Sequence, residues 1–379
     1  MAERKIRVIF VLGKLAEWSI AAVLKTVELQ GSGGSNPSLS ATGVKRRRLA
    51  RSMPGFASRR VKPGLFVLSR AAVVAEKTAR RCNIFPLAVS KGKKFQVMNK
   101  LICHVGLLCG VLLGMLDATF AQSFAVQRVG CGKQAVILIP GFACSGDVWR
   151  QTVDALRENY TCYVLTMPGF AGVAAETNPS FDGWTRQIVD FIRDERIEKP
   201  VLIGHSMGGG LAMNIAANHA ELVKGIVVVD ALPCLAALYD PDFRAREIPD
   251  EEFAQAEARL LRMSDEQFRR QARISAAALT TDSLRYDDLI GWSLASDRRT
   301  WARMYRDYSN VDLRPAVRRI SVPTLVLLEY PFRKIAPAVE QQFAGRPNIR
   351  LEYANRGLHF IMFDDREWYM RQITDFLND

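Results

Sequence analysis

The sequence predicts an α/β fold, a doubly wound, mostly parallel sheet with an inserted helical cap. Two observations predict the sheet. From residue 135 onward, short apolar runs alternate with stretches of helical periodicity. The runs are continuously apolar, as strands buried on both faces must be. A third observation predicts the cap: about 234–319 is rich in Ala, Arg and Glu, with several helical patterns and no strand signal.

The elements follow in order. Residues 135–139, Ala-Val-Ile-Leu-Ile, read as a strand ended by Pro140-Gly141. A helix is expected over 146–158, with Val148, Trp149, Val153 and Leu156 at helical spacing. Tyr163-Val164-Leu165 is a second strand, stopped at Pro168-Gly169, and 181–195 a second helix. Residues 201–203 form a third strand, 208–218 a helix and 226–229 a fourth strand. Inside the cap, helices are expected over 251–263, 265–278 and 298–308. Residues 324–328 and 349–353 supply two more strands, and 367–377 a closing helix. The core is thus 122–233 and 320–379, with the cap between.

Charge separates the chain into unlike parts. The net charge is +13 over 379 residues, but residues 1–97 carry 20 Lys/Arg against 4 Asp/Glu. The rest carries 32 against 35 and is mildly acidic. The basic part, with Lys45-Arg46-Arg47-Arg48, could read as a nucleic-acid arm, but it lacks interleaved aromatics, metal-ligand spacings and a recognisable fold. Gly34-Ser35-Asn36-Pro37 is what the T-arm consensus of a transfer-RNA gene would encode in one frame. Residues 1–97 are therefore expected to be an over-extended reading frame or an unstructured leader, and no nucleic-acid partner is expected.

Met98 begins a second pattern. Asn99-Lys100 precedes an apolar run from Leu101 to Leu116, and small residues precede a cut after Ala121. These are the parts of a secretory signal, so export with cleavage near Ala121 is expected. The run is too short and glycine-broken for a comfortable membrane span. Export would permit disulfides, and a bridge among Cys131, Cys144 and Cys162 is one possibility; Cys234 is the fourth cysteine of this part. No Cys/His spacing suggests zinc, and neither metal nor cofactor is expected.

In such sheets ligands bind at the carboxyl ends of the strands. There Gly204-His205-Ser206-Met207-Gly208 falls between a strand and a helix. A serine on so sharp a turn leaves little room for neighbours, so glycines flank it two residues away on each side. After residue 121 only His205, His219 and His359 remain. His205 should point away from the serine's side and His219 should lie near a helix end. His359 follows the last strand and is the candidate general base for Ser206. Ile139-Pro140-Gly141-Phe142 ends the first strand. The backbone N–H groups of Phe142 and Met207 are candidate oxyanion donors.

With these residues the region 134–379 resembles the α/β-hydrolase superfamily, and within it the capped serine esterases. The resemblance implies Ser206 as nucleophile, His359 as base, and Phe142 and Met207 as oxyanion donors. The chain order of oxyanion loop, serine, cap and histidine agrees. The acid departs from the usual pattern. The stretch after residue 328, Glu329-Tyr330-Pro331-Phe332-Arg333, holds no Asp. Asp230, at the end of the strand after the nucleophile helix, is the preferred acid; Glu329, which lies closer to its strand, is the alternative. The implied activity is hydrolysis of small-molecule carboxylic esters. An amidase, iminopeptidase or acyltransferase on the same residues, or a non-catalytic binding protein, are the alternatives. Phe170, Trp292, Trp301 and Tyr305 are candidates for an acyl pocket, and core packing explains them equally well.

Overall fold

The computed structural model describes residues 123–246, 250–343 and 345–379. The expectations for the basic leader 1–97 and the signal segment 98–121 lie outside the described residues.

Seven strands form one sheet in the order β1-β3-β2-β4-β5-β6-β7. They are β1 Ala125–Val129, β2 Gln134–Ile139, β3 Tyr160–Thr166, β4 Val201–His205, β5 Gly225–Val229, β6 Thr324–Leu328 and β7 Ile349–Tyr353. All neighbours run parallel except β1, which pairs antiparallel with β3. The central strands are continuously apolar because alternate residues serve opposite layers. Ile137, Ile139, Leu202, Ile226 and Val228 face one core, while Val136, Leu138, Ile203, Val227 and Val229 face the other.

The first core is covered by α2 (Phe181–Asp194) and α3 (Met207–Asn218). The second is covered by α1 (Arg150–Leu156) and by the terminal helices α10 (Ile361–Asp364) and α11 (Arg366–Asn378). Between β5 and β6 the described residues hold helices and no strand. These are α4 (Asp250–Arg262), α5 (Asp265–Leu279), α6 (Tyr286–Ala295), α7 (Arg298–Ser309) and α8 (Arg314–Val317). A last helix, α9 (Ala336–Phe343), joins β6 to β7. α5 opens with a full capping box, Ser264 and Gln267 each accepting from the other's backbone.

The structure departs from the sequence reading in four places. The helix expected over 146–158 splits into a 3-10 turn, Gly146–Trp149, followed by α1. Ser145 Oγ accepts from the Asp147 N–H and starts that turn early. β1 was not anticipated because Ala-Val-Gln-Arg-Val is an edge strand, half exposed, and lacks an apolar run. α6, α8, α9 and α10 were likewise not anticipated. Finally, no pair among Cys131, Cys144, Cys162 and Cys234 is bridged; all four are free thiols. Cys144 and Cys162 are buried in the second core, where burial pushes their thiols up to about 12 and about 11.

Candidate active site

β4 ends at His205 and α3 begins at Met207, so Ser206 alone makes the turn. Its backbone is left-handed, with φ 53° and ψ −120°. The turn closes only because its neighbours lack side chains. A Cβ on Gly204 would fall 2.1 Å from the Gly208 carbonyl oxygen, and one on Gly208 would fall 2.3 Å from that of Ile139. Ser206 N–H donates to the Val229 carbonyl of the adjacent strand at 2.8 Å. The serine is half-buried and stands at the carboxyl edge of the sheet.

The turn after β2 lies against it. A Cβ on Gly141 would come within 3.2 Å of Ser206 Cβ, so this backbone approaches the serine closely. Phe142 is the next residue. Met207, the first residue of α3, presents one of the N–H groups that a helix start leaves unused internally.

His359 sits on the loop between β7 and α10. Its Nδ1 is 2.6 Å from Asp230 Oδ2. The carboxylate accepts from Nδ1–H, so the other ring nitrogen, Nε2, is left as the acceptor. Asp230 follows β5 directly and is itself left-handed, with φ 50°. Its other oxygen, Oδ1, accepts the Glu329 N–H at 2.7 Å. Of the two acid candidates, Asp230 is the one joined to His359. Glu329 is buried beside it. Burial, then the charges of Asp230 and Asp364, push its carboxyl up to about 9, so it is protonated at neutral pH.

The His205 ring packs against His359 with centroids 4.6 Å apart. Its Nε2–H donates to the His359 carbonyl at 3.0 Å. Burial foremost, and the nearby His359, hold His205 well below the ordinary imidazole range, so it is neutral. It acts as a prop under the loop that carries His359. His219 ends α3 at the far end of that helix, about 18 Å along the axis from the serine.

Asp364 was missed by sequence reasoning. Its carboxylate accepts from the Thr280 hydroxyl at 2.6 Å, the Thr281 N–H at 3.0 Å and the Leu358 N–H at 2.8 Å. It therefore ties the end of α5 to the residue before His359. Gly357 sits over it with φ 90°, and a Cβ there would fall 2.3 Å from Asp364 Cβ. The only trace in the sequence was a pair of carboxylates, Asp364-Asp365, five residues past the histidine.

The aromatic candidates divide. Phe142 contacts Phe170, Trp301 and Tyr305 at centroid distances of 5.0, 4.9 and 6.3 Å. Trp292 lies elsewhere, partly buried against the second core. Among the described residues no group of His, Cys, Asp and Glu is arranged to hold a metal ion.

The alpha/beta hydrolase family profile matches residues 136–372, most of the chain and all of the residues above. The chain belongs to the alpha/beta hydrolase family. Within that family it is similar to the pimeloyl-(acyl-carrier protein) methyl ester esterase of Vibrio campbellii. The two are 26% identical over 271 residues, 66% of this chain and 96% of that protein. A protein of the same name from Aeromonas hydrophila is 32% identical over 118 residues, 31% of this chain and 44% of its own length. Among solved structures, an esterase from Exiguobacterium antarcticum superposes with TM-score 0.55 at 19% identity, covering 68% of this chain and 96% of that one. An enol-lactonase from Burkholderia xenovorans gives TM-score 0.55 at 16% identity, with coverages of 68% and 96%. At these identities the structural matches establish the family's fold.

Proposed function

We propose that this family member is a carboxylesterase-type hydrolase that works through an acyl-enzyme on Ser206. The observation that carries the reading is the His359–Asp230 pair, 2.6 Å apart at the same strand edge as the left-handed serine. The names of the two relatives above, both methyl ester esterases, support the ester over the amide.

In this mechanism Ser206 Oγ attacks the ester carbonyl carbon while His359 Nε2 takes its proton. Asp230 orients the ring and balances the imidazolium that forms. The N–H groups of Phe142 and Met207 receive the oxyanion of the tetrahedral intermediate. Collapse breaks the carbon–oxygen bond to the alcohol, which leaves with the proton from His359. Water then attacks the acyl-enzyme with His359 again as base, and the acid is released. The helical insert serves as a cap, and Phe142, Trp301 and Tyr305 supply the apolar wall for the acyl chain. No metal or cofactor takes part. The substrate is a small-molecule ester, and the mature protein is exported after cleavage near Ala121, a reading supported by the signal-like segment 98–121.

Ser206→Ala is expected to lower kcat/KM for p-nitrophenyl butyrate by about 10⁴-fold or more, and to abolish labelling by a fluorophosphonate. Wild-type activity in this variant would discard the site. Finding the protein only in the cytoplasmic fraction, with segment 98–121 intact, would discard the localisation.

A further inference from the structure

The turn that carries the Phe142 N–H does not hold its own shape. Ala143, the next residue, is left-handed with φ 56°. A residue with a Cβ keeps that conformation only where its surroundings impose it. Inside the turn, the Cys144 N–H reaches the Gly141 carbonyl at 3.2 Å. The grip from outside falls on the Phe142 ring. Trp301 meets it edge-on, with centroids 4.9 Å apart and an interplanar angle of 83°. Phe170 lies at 5.0 Å and Tyr305 at 6.3 Å.

All three of these rings depend on helix α7 of the insert. Trp301 and Tyr305 are four residues apart and share one face of it. Phe170 belongs to the loop after β3, and that loop is fastened to the start of α7. The Asp297 N–H donates to the Gly169 carbonyl at 2.7 Å, and the Gly172 N–H to the Ala295 carbonyl at 3.1 Å. Ser296 Oγ accepts from the Ala171 N–H at 3.0 Å. The loop lies directly on the first turn of α7: a Cβ on Gly169 would fall 2.5 Å from Thr300 Oγ1. Near the other end of the helix, Asp307 Oδ2 accepts from the Phe181 N–H at the start of α2. Behind Trp301 stands Phe268 of α5, with ring centroids 6.2 Å apart. α7 is thus tied to the core at both ends and backed by a second helix, a firm base from which to press on Phe142.

Trp301 is buried, so most of its surface faces protein rather than the cleft. From its edge-on contact with Phe142, beside the left-handed Ala143, we infer that Trp301 is a positioning residue for the oxyanion hole. It fixes the Phe142 ring and so aims the Phe142 N–H at the developing oxyanion. The inserted helices then belong to the oxyanion hole as well as covering it. A donor stabilises the transition state only if it is already aimed where the charge will form, and a small displacement forfeits much of that. The effect falls on the transition state, where the oxygen carries its charge, and not on the bound ester. A wall effect grows with the length of the acyl chain. A displaced oxyanion donor slows every ester alike. This inference rests on the Ser206 esterase reading.

Trp301→Leu tests it, with p-nitrophenyl acetate and p-nitrophenyl octanoate as substrates and 1,1,1-trifluoroacetone as inhibitor. In the inhibited enzyme Ser206 Oγ bonds to the ketone carbon, the serine proton passes to His359, and the ketone oxygen becomes the oxyanion. The variant should lose about tenfold or more in kcat on both esters. KM for the acetate should stay within about twofold. The inhibition constant of the ketone should rise by about the same factor as kcat falls. Trp301→Phe, which keeps a ring against Phe142, should recover most of the loss on the acetate. Tyr305→Leu, which removes the second α7 ring, should show the same pattern at about threefold, and it carries the test where Trp301→Leu does not fold. A loss confined to KM for the octanoate, with the acetate unchanged within about twofold, would make these rings a wall only and overturn the inference. Equal losses on both esters with an unchanged inhibition constant would report a smaller folded fraction and overturn it as well. Failure of the wild-type protein to hydrolyse either ester would instead remove the esterase reading, and the inference with it.

Discussion

The ends of β5 and β6 each present one acidic residue, Asp230 and Glu329, and they behave in opposite ways. Both are 4% exposed. They are neighbours, since the Glu329 N–H donates to Asp230 Oδ1 at 2.7 Å. Asp230 leaves its strand with a left-handed φ of 50°, which swings its carboxylate onto His359. Glu329 leaves with φ −60° and ψ 154°, an ordinary extended backbone. Asp230 thus receives two N–H donors, one from the backbone and one from the imidazole. Glu329 faces the charges of Asp230 and Asp364 and keeps its proton. Burial foremost, and then the charges of Asp230 and Asp364, raise the Glu329 carboxyl, while the Asp230 oxygens accept two N–H groups.

The largest test of this contrast is Asp230→Asn, expected to lower kcat/KM by about 10³- to 10⁴-fold, because the amide cannot balance the imidazolium and favours the wrong tautomer. Steady-state kinetics on p-nitrophenyl esters measure it, and near-wild-type activity would move the acid to Glu329. A middle effect is expected from Asp364→Ala. Its removal leaves the Thr280 hydroxyl and the Thr281 and Leu358 N–H groups without their acceptor and frees the loop before His359. The expected loss is about 2–4 kcal/mol of stability by denaturant titration, with a fall of about tenfold or more in kcat.

The smallest effect is expected from Glu329→Gln, with kcat/KM within about threefold of wild type. Its signature lies in the pH dependence of stability. The folded chain holds the Glu329 proton up to about pH 9, while the unfolded chain releases it near its ordinary value of 4.5. The folded state binds more protons within that window, so this group makes wild-type stability fall as pH rises through it. The variant lacks the loss. Its melting temperature should gain on wild type progressively between pH 5 and pH 9, by a few degrees at the upper end. A constant difference across that range would show that Glu329 is ionised in the folded protein.

Much of the site was legible in the sequence because its geometry is local. Gly204 and Gly208 flank Ser206 for a steric reason confined to one turn, and five consecutive apolar residues mark β2 whatever surrounds it. Scarcity of histidine narrowed the candidate base to His359. Asp230 could be preferred over Glu329 by its place after the nucleophile helix, but not fixed, since both follow apolar strands and look alike in one dimension. Their roles depend on a histidine more than a hundred positions away from Asp230 and on a backbone torsion no spacing reveals. β1 was hidden for a related reason: an edge strand needs only one buried side and one partner, so its sequence carries little apolar signal.

By itself, then, the sequence determined the doubly wound sheet, the helical insert, the serine turn and the histidine, all of which follow from periodicity or from sterics within a few residues. The tertiary structure decided which carboxylate meets His359, the Asp364 tie between α5 and the histidine loop, and the free state of the cysteines. Each of these is set by which groups meet across long stretches of chain. Hydrogen bonds and charge states are properties of such meetings, and spacing along the chain does not specify them.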